Sequence, residues 1–340
     1  MELKTTVRRW EHDSLSAINV KDDNNTLVNN FSTNNEIIGI DRPVRFAHLS
    51  DIHVTANSSW TKRDIFSKRF TGWINLKLFG RGFRFRNTTE ILVSLMKDIK
   101  SQLIDSMVFS GDATALGFEE EMAKAAALLE LDKPDVLPGL AVPGNHDYQT
   151  ASCAASNHFE NHFSPWQKGL RIENHIYPFA KKVGNIWVIA VNSSTPNSLP
   201  WDARGCVGGE QLQRLKMLFD KLDNSRRILV THYPVKIANG KRERKIRALR
   251  DLDSLLQIAA RGKVSLWLHG HRHDQFYHPS SSDVPFPVLC AGSATQNGRW
   301  SYSRYSILNN HLAVECRVYN PDTELFNKSE SFNLELPFQY

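Results

Sequence analysis

A chain of 340 residues, 41% hydrophobic and 23% charged, can bury one large α/β core or two smaller ones. No apolar run approaches the roughly 18 residues of a membrane span, and Cys153, Cys206, Cys290 and Cys316 contain no CxxC pair; this argues against a spanning protein, a zinc ribbon and a disulfide framework. The net charge of +6 is concentrated, with eight Lys or Arg against Asp64 alone at 61–86 and seven against Glu243 alone at 236–250. Two basic segments on an otherwise acidic molecule point to a local anionic partner.

Residues 1–40 are polar and Asn-rich without sustained periodicity, and read as a flexible polar N-terminal arm. They lack the charged-then-apolar pattern of a secretory signal, so a cytoplasmic protein is expected. From residue 41 to 340 the chain reads as a single domain. "VRFAHLS" predicts a strand, "TTEILVSLMKDIK" a helix with a Thr cap, and "SMVFS" a strand. "FEEEMAKAAALLEL" predicts a helix with acidic residues in its first turn, and "GLAV" a strand. "IYPFAKKVGNIWVIAVNS" reads as two strands around a Gly-Asn turn. A helix ("GEQLQRLKMLFDKL"), a strand ("RRILVT"), a helix ("ALRDLDSLLQIAA") and a strand ("VSLWLH") follow, and the chain is strand-rich from Phe286 onward. Strands alternating with helices predict a buried sheet flanked by helices, with antiparallel pairs toward the C-terminus.

In open α/β sheets ligands gather at the C-terminal ends of strands, so the residues after each apolar run carry the chemistry. Those ends read Asp51-Ile52-His53, Gly111-Asp112, Gly144-Asn145-His146-Asp147, His232, and Gly270-His271-Arg272-His273. Each delivers a hard or borderline metal ligand, and none delivers Cys. Residues two apart on a strand project to one side, which places Asp51 and His53 together. An isolated Asp after a strand is usually a turn or cap residue, but five such ends in register are not explained that way.

This ordered set, D-x-H, G-D, G-N-H-D, H and G-H-x-H, resembles the calcineurin-like metallophosphoesterases from about Val44 to His273. The resemblance implies a four-layer α/β sandwich, two central β-sheets flanked by helices, and a dinuclear metal-dependent phosphoester hydrolase. Carried onto this chain, it implies one divalent ion on Asp51, His53 and His273 and a second on Asn145, His232 and His271. Asp112 would bridge them, and Mn²⁺, Fe²⁺ or Zn²⁺ suit such O and N donors. A hydroxide between the metals would attack phosphorus in line. His146 would face the leaving group as general acid, with Asp147 fixing its orientation and raising its basicity. Many members carry a polar residue shortly after the G-D block; here Ala115 and Leu116 stand there.

The remaining histidines invite blander readings. His158 and His162 stand four apart in "HFENH", but the Glu is misplaced for a metalloprotease motif. His48 and His269 read as packing residues, and His175, His278 and His311 as surface or loop residues. "GRG" at 80–82 lacks the third glycine of a dinucleotide loop.

Within 61–86, Phe66, Phe70, Trp73, Ile74 and Leu78 share one helical face. That face either packs on the core or, with the surrounding Lys and Arg, meets an anionic membrane surface or a lipid-bearing substrate. The 236–250 segment predicts a basic helix start, opposed by the macrodipole unless an anion meets it. Both segments follow ligand blocks, so both are expected to flank one cleft mouth. The substrate expectation is a phospholipid or a UDP-linked lipid pyrophosphate. A cyclic-nucleotide phosphodiesterase and a non-catalytic scaffold are the alternatives, and nucleic acid is not expected as a partner.

Overall fold

The computed structural model describes residues 42–199 and 201–337, so the arm expected at 1–40 lies outside the described residues. In chain order the strands are β1 (Val44–Leu49), β2 (Ser106–Phe109), β3 (Gly139–Ala141), β4 (Leu170–Arg171), β5 (Phe179–Val183), β6 (Ile186–Ala190) and β7 (Arg226–Val230). They continue with β8 (Val264–His269), β9 (Gln275–His278), β10 (Val288–Ala291), β11 (Ser301–Leu308), β12 (His311–Asn320) and β13 (Leu325–Glu335). The helices are α1 (Lys62–Ile65), α2 (Lys68–Leu78), α3 (Arg81–Arg84), α4 (Thr88–Ser101), α5 (Glu119–Leu128), α6 (Ala151–Ser156), α7 (His158–His162), α8 (Gly209–Lys221) and α9 (Leu252–Arg261).

Among the described residues these strands form two mixed sheets, ordered β13-β12-β11-β1-β2-β3 and β4-β5-β6-β7-β8-β10-β9. β1, β2 and β3 run parallel, as do β6, β7, β8 and β10; the other neighbours are antiparallel.

Strand alternation builds three apolar layers. Phe46 and Val108 of the first sheet meet Val188, Ile228, Val230 and Leu268 of the second in the central layer. The neighbouring residues Ala47, Leu49, Met107 and Phe109 point the other way, onto Leu92 and Leu95 of α4 and Met122 of α5. On the far side Leu229 and Trp267 pack against Leu215 and Leu218 of α8 and Leu255 and Ile258 of α9. Sheets buried on both faces read as continuous apolar runs, which is why these strands were visible in the sequence. The result is the four-layer sandwich expected from the motif order.

Three local expectations change. The 61–86 segment is three helices, broken at Ser67, which caps α2 by accepting from the Arg69 N–H, and at Gly80, whose φ of +72° is left-handed. Its apolar side chains do not form a core face: Phe66, Leu78 and Phe79 are 91%, 73% and 72% exposed, and Phe70 and Trp73 also face outward. Among the apolar side chains of α2, Leu76 packs against the small cluster of Ala115, Leu116 and Phe118, and the Arg69 guanidinium lies 4.1 Å over the Phe118 ring. The basic 241–250 stretch is irregular, and α9 begins beyond it with Asp253 in its first turn. The charge conflict expected at that helix start is therefore absent. Finally, α4 is preceded by Asn87, and Thr88 donates its hydroxyl to the Phe85 carbonyl from the first helical position.

Candidate metal centre

The parallel strands β1 and β2 set the first part of the site. Past Leu49 their ladder continues into the loops, with Asp51 N–H donating to Gly111 O at 2.9 Å and His53 N–H to Asp112 O at 3.1 Å. Strand alternation is not what brings Asp51 and His53 together. Both lie beyond the strand with φ of +54° and +43°, so a left-handed turn aims them inward. Asp112, His271 and His273 share that conformation at +58°, +72° and +58°. Non-glycine residues rarely adopt it, and its concentration on the ligand candidates marks strain held in place for function.

Two donor groups result. Asp51 Oδ1, His53 Nε2, Asp112 and His273 Nε2 offer ligand atoms that all lie within 4.8 Å of one another. His273 Nε2 is 3.2 Å from Asp51 Oδ1 and 3.1 Å from His53 Nε2, and Asp112 Oδ2 is 3.7 Å from His53 Nε2. On the other side of the same Asp112 Oδ2, His232 Nε2 stands at 3.5 Å. His232 Nε2 is 3.2 Å from Asn145 Oδ1, which is 2.9 Å from His271 Nδ1. Donor atoms bound at about 2.0–2.1 Å to one ion are separated by roughly 3 Å, so both groups have the spacing of a coordination shell. Asp51, His53, Asp112 and His273 could hold one divalent ion, and Asp112, Asn145, His232 and His271 a second.

Backbone and amide oxygens orient the imidazoles. His53 Nδ1 bonds Thr114 O at 3.1 Å, His232 Nδ1 bonds Ser110 O at 2.8 Å, and His273 Nδ1 bonds Gln296 Oε1 at 2.5 Å. In each ring this sets the N–H on Nδ1 and leaves the Nε2 lone pair toward the site. Glycines let the loops close: a Cβ on Gly144 would stand 2.1 Å from Asp112 Oδ1, and one on Gly270 would stand 1.9 Å from Ser50 Oγ.

The electrostatics ask for cations. Burial would raise the Asp112 carboxyl, yet the imidazoles of His232, His146 and His53 hold it well below the usual carboxylate range. Burial works against a charged His232, but Asp112 pushes it up to about 9. His271 is driven well down by burial and by His232. Asp51 Oδ1 is buried without a hydrogen-bond partner. An orphaned carboxylate oxygen among converging imidazole nitrogens fits divalent ions and fits no protein partner in view.

His146 and Asp147 are both anchored on the loops around Asp112. His146 Nδ1 bonds the Ala115 carbonyl at 2.9 Å, and its ring stands edge-on to His53 with centroids 4.9 Å apart. Asp147 accepts from the N–H groups of Gly144, Ala113 and Thr114 and from the Thr114 hydroxyl, at 2.8–3.2 Å. The Ala115 carbonyl holds one ring nitrogen of His146, and Asp147 pins the two loops that carry Asp112 and Asn145. The Ala115 side chain, a departure from the family pattern, is no loss here, because its carbonyl supplies the support.

The sequence missed several contributors. Ser193, in the loop after β6, accepts from the N–H groups of His232 and Tyr233 through its Oγ. Phe85, at the end of the insertion, packs on His53 and His273 with centroid distances of 4.7 and 5.9 Å. Asp112, Asn145, His271 and His273 line a cleft of about 710 Å³ whose walls include Lys68, Asn75, Phe79 and Arg84 from the first basic segment and Ile246 and Arg247 from the second. Both basic segments do flank one mouth. His48 is buried on Tyr305 and Ser110, and His269 is buried with its Nδ1 on Gly270 O. His158 Nδ1 and His162 Nε2 lie 3.2 and 3.4 Å from Glu119 Oε1, a partly exposed group on the surface.

A double sheet whose strand ends converge on two adjoining imidazole–carboxylate clusters defines a metal-dependent phosphoesterase. The pattern of the calcineurin-like phosphoesterases matches residues 44–275, and the chain belongs to that family. Among solved structures it is similar to a dimetal phosphatase from Danio rerio, at 13% identity over 87% of this chain and 100% of that one, with a TM-score of 0.60. It is also similar to a purple acid phosphatase from yellow lupin seeds, at 13% identity over 86% of this chain and 54% of that one, with a TM-score of 0.55. No curated protein matches it by sequence.

Proposed function

We propose that this phosphoesterase acts at a dinuclear centre on a lipid-bearing phosphoester, either a phospholipid or a UDP-linked lipid pyrophosphate. The carrying observation is the composition of one cleft. It is lined by Asp112, Asn145, His271 and His273 of the ligand cluster, and its walls mix Lys68, Arg84 and Arg247 with Phe79, Trp201 and Ile246. Bound divalent ions supply charge neutralisation at phosphorus and an activated water. The chain's own residues do the rest. Asp112 would be shared between the two ions, with Asn145, His232 and His271 holding one and Asp51, His53 and His273 holding the other. His146, with Nδ1–H held by the Ala115 carbonyl, gives a proton to the leaving oxygen from its other nitrogen.

Manganese is the metal used to test the centre, with iron and zinc as alternatives. A small cyclic nucleotide suits the same ions but leaves the exposed Phe79, Trp201 and Ile246 without a role. The outward aromatics of 61–86 suit attachment to an anionic membrane surface from the cytoplasmic side. Among the described residues no helix is long and apolar enough to cross a membrane. The test is a panel of phospholipid, UDP-linked lipid, cyclic nucleotide and phosphomonoester, each given to metal-free and manganese-loaded protein. Metal-dependent turnover led by a lipid substrate supports the reading. Preference for the cyclic nucleotide removes the lipid assignment, and no turnover on any member favours the scaffold.

A further inference from the structure

The insertion's wall of the cleft carries a cation that the metal chemistry leaves unexplained. Lys68 opens α2 and is half-buried on the same cleft as Asp112, Asn145 and His146. Its Nζ donates to the main-chain carbonyl of Asp202 at 2.5 Å. The Asp202 carboxylate is engaged elsewhere, with Arg204 Nε at 2.9 Å and NH2 at 2.6 Å. Among the described residues Lys68 therefore makes no ion pair, although an ammonium has three donors to place. Burial lowers its proton affinity, and the more distant Asp202 and Asp112 charges offset part of that. A half-buried cation without a carboxylate against it is costly until an anion arrives.

A second observation points the same way. Gln149, 3% exposed, lines the cleft beside Lys68; its Nε2 lies 3.5 Å from Lys68 O, and its Oε1 is buried without a hydrogen-bond partner. Gly72 of α2 makes this approach possible, since a Cβ there would stand 2.9 Å from Gln149 Nε2. The other cations on the wall divide into two kinds. Arg272 and Arg299 are neutralised by Glu243 and Asp274. Arg84 and Arg247 line the cleft with no ion pair among the described residues. One reacting phosphoryl group does not account for this surplus, because two divalent ions set against Asp51 and Asp112 already leave positive charge for it.

Resting on the phosphoester-hydrolase reading of this cleft, we infer that Lys68, with Gln149 beside it, forms a subsite for a second, non-reacting phosphate, so that the preferred substrate is a diphosphate. Lys68 directs its remaining N–H groups to that phosphate, and Gln149 Oε1 accepts from a hydroxyl carried next to it. Water adds across the P–O–P bond; one phosphorus takes the hydroxyl, and the other leaves as a phosphate monoester that receives the proton.

The manganese-loaded protein is assayed on bis(para-nitrophenyl) phosphate and on symmetrical bis(para-nitrophenyl) diphosphate, beside Lys68→Met and Lys68→Arg. Hydrogen bonds to a charged group support an expected loss of about 10- to 100-fold in kcat/KM for Lys68→Met on the diphosphate, mainly through KM. The loss on the monophosphate diester is expected to be several-fold smaller, and Lys68→Arg should recover most of the diphosphate activity. Equal losses on both substrates, or none on the diphosphate, overturn the subsite. So does a parent that cleaves the diester but not the diphosphate. A parent inactive on both removes the hydrolase reading itself, a separate failure.

Discussion

The main-chain N–H of His146 donates to Asp112 Oδ1 at 2.7 Å, while Asp112 Oδ2 faces His53 at 3.7 Å and His232 at 3.5 Å. One carboxylate therefore spans both halves of the metal centre and also positions the residue proposed to protonate the leaving group. Asp112→Asn keeps an acceptor for His146 but replaces half of the anionic bridge. It should hold fewer than two ions per chain and lose about 10³-fold or more in kcat/KM, in line with several kcal/mol of lost charge stabilisation. Metal analysis beside steady-state kinetics checks this. Two ions and full turnover in the variant would remove the bridging role.

His146 separates binding from chemistry. Its ring nitrogen bonds a carbonyl, and its neighbour Asn145 belongs to the second donor group. His146→Ala should keep both ions and lower kcat by about 10²–10⁴-fold on alkyl leaving groups. The loss should shrink on nitrophenolate, which departs without a proton. The same loss on both leaving groups contradicts an acid role, and loss of metal would make His146 a ligand.

The part of this site that the sequence revealed consists of residues directly following apolar strands. Asp112 and His232 were visible because β2 and β7 are apolar on both faces, and such runs announce where they end. Lys68 and Gln149 were not, since they meet through the packing of α2 beside the 115–118 loop, and Phe85 was not, since it packs on His53 and His273, far away in sequence. Arg69 fixes that packing by donating to Leu116 O and Gly117 O at 3.1 and 2.6 Å, a long-range contact that no local pattern encodes. The outward turn of Phe66 and Leu78 was equally hidden: an amphipathic period states that a face exists, not what covers it.

Asp147 illustrates a role that only coordinates disclose. Asp147→Asn would set an amide N–H₂ against the buried N–H groups of Ala113 and Gly144, each unsatisfied donor costing about 1–3 kcal/mol. The expected result is a fall in Tm of roughly 5–10 °C. If Asp147 acts on the loops and not on the His146 ring, the pH–rate profile of the remaining activity should stay in place. A profile displaced by a unit with Tm unchanged would restore the catalytic reading.

Glu121 offers a pH test away from the metals. Its carboxylate accepts from the Leu116 and Phe118 N–H groups at 2.8 and 3.3 Å, yet burial pushes its pKa from 4.5 up to about 7. A carboxyl with a raised folded-state pKa contributes stability that is complete below about 4.5 and is lost as pH rises through about 7. Glu121→Gln keeps an acceptor and removes the titration. Thermal melts from about pH 5 to pH 8 should therefore show the variant gaining on the parent as pH rises. A constant difference across that range contradicts the assignment.

The outward face of the insertion gives the last prediction. Phe66 and Leu78 are 91% and 73% exposed, and Lys62, Arg63 and Lys77 near them are exposed as well. Apolar side chains amid cations suit insertion into an anionic lipid surface, where each basic residue adds about 1 kcal/mol. The protein should sediment with anionic vesicles more than with neutral ones, and salt should weaken the effect. Phe66→Ser with Leu78→Ser removes two side chains that support no core, so the variant should melt within a few degrees of the parent. It should also lose most vesicle binding while keeping its activity on a soluble diester. Aggregation of the variant would mean that this face is covered by protein. Equal recovery of the parent in the supernatant with anionic, neutral and no vesicles would end the membrane reading while leaving the metal centre untouched.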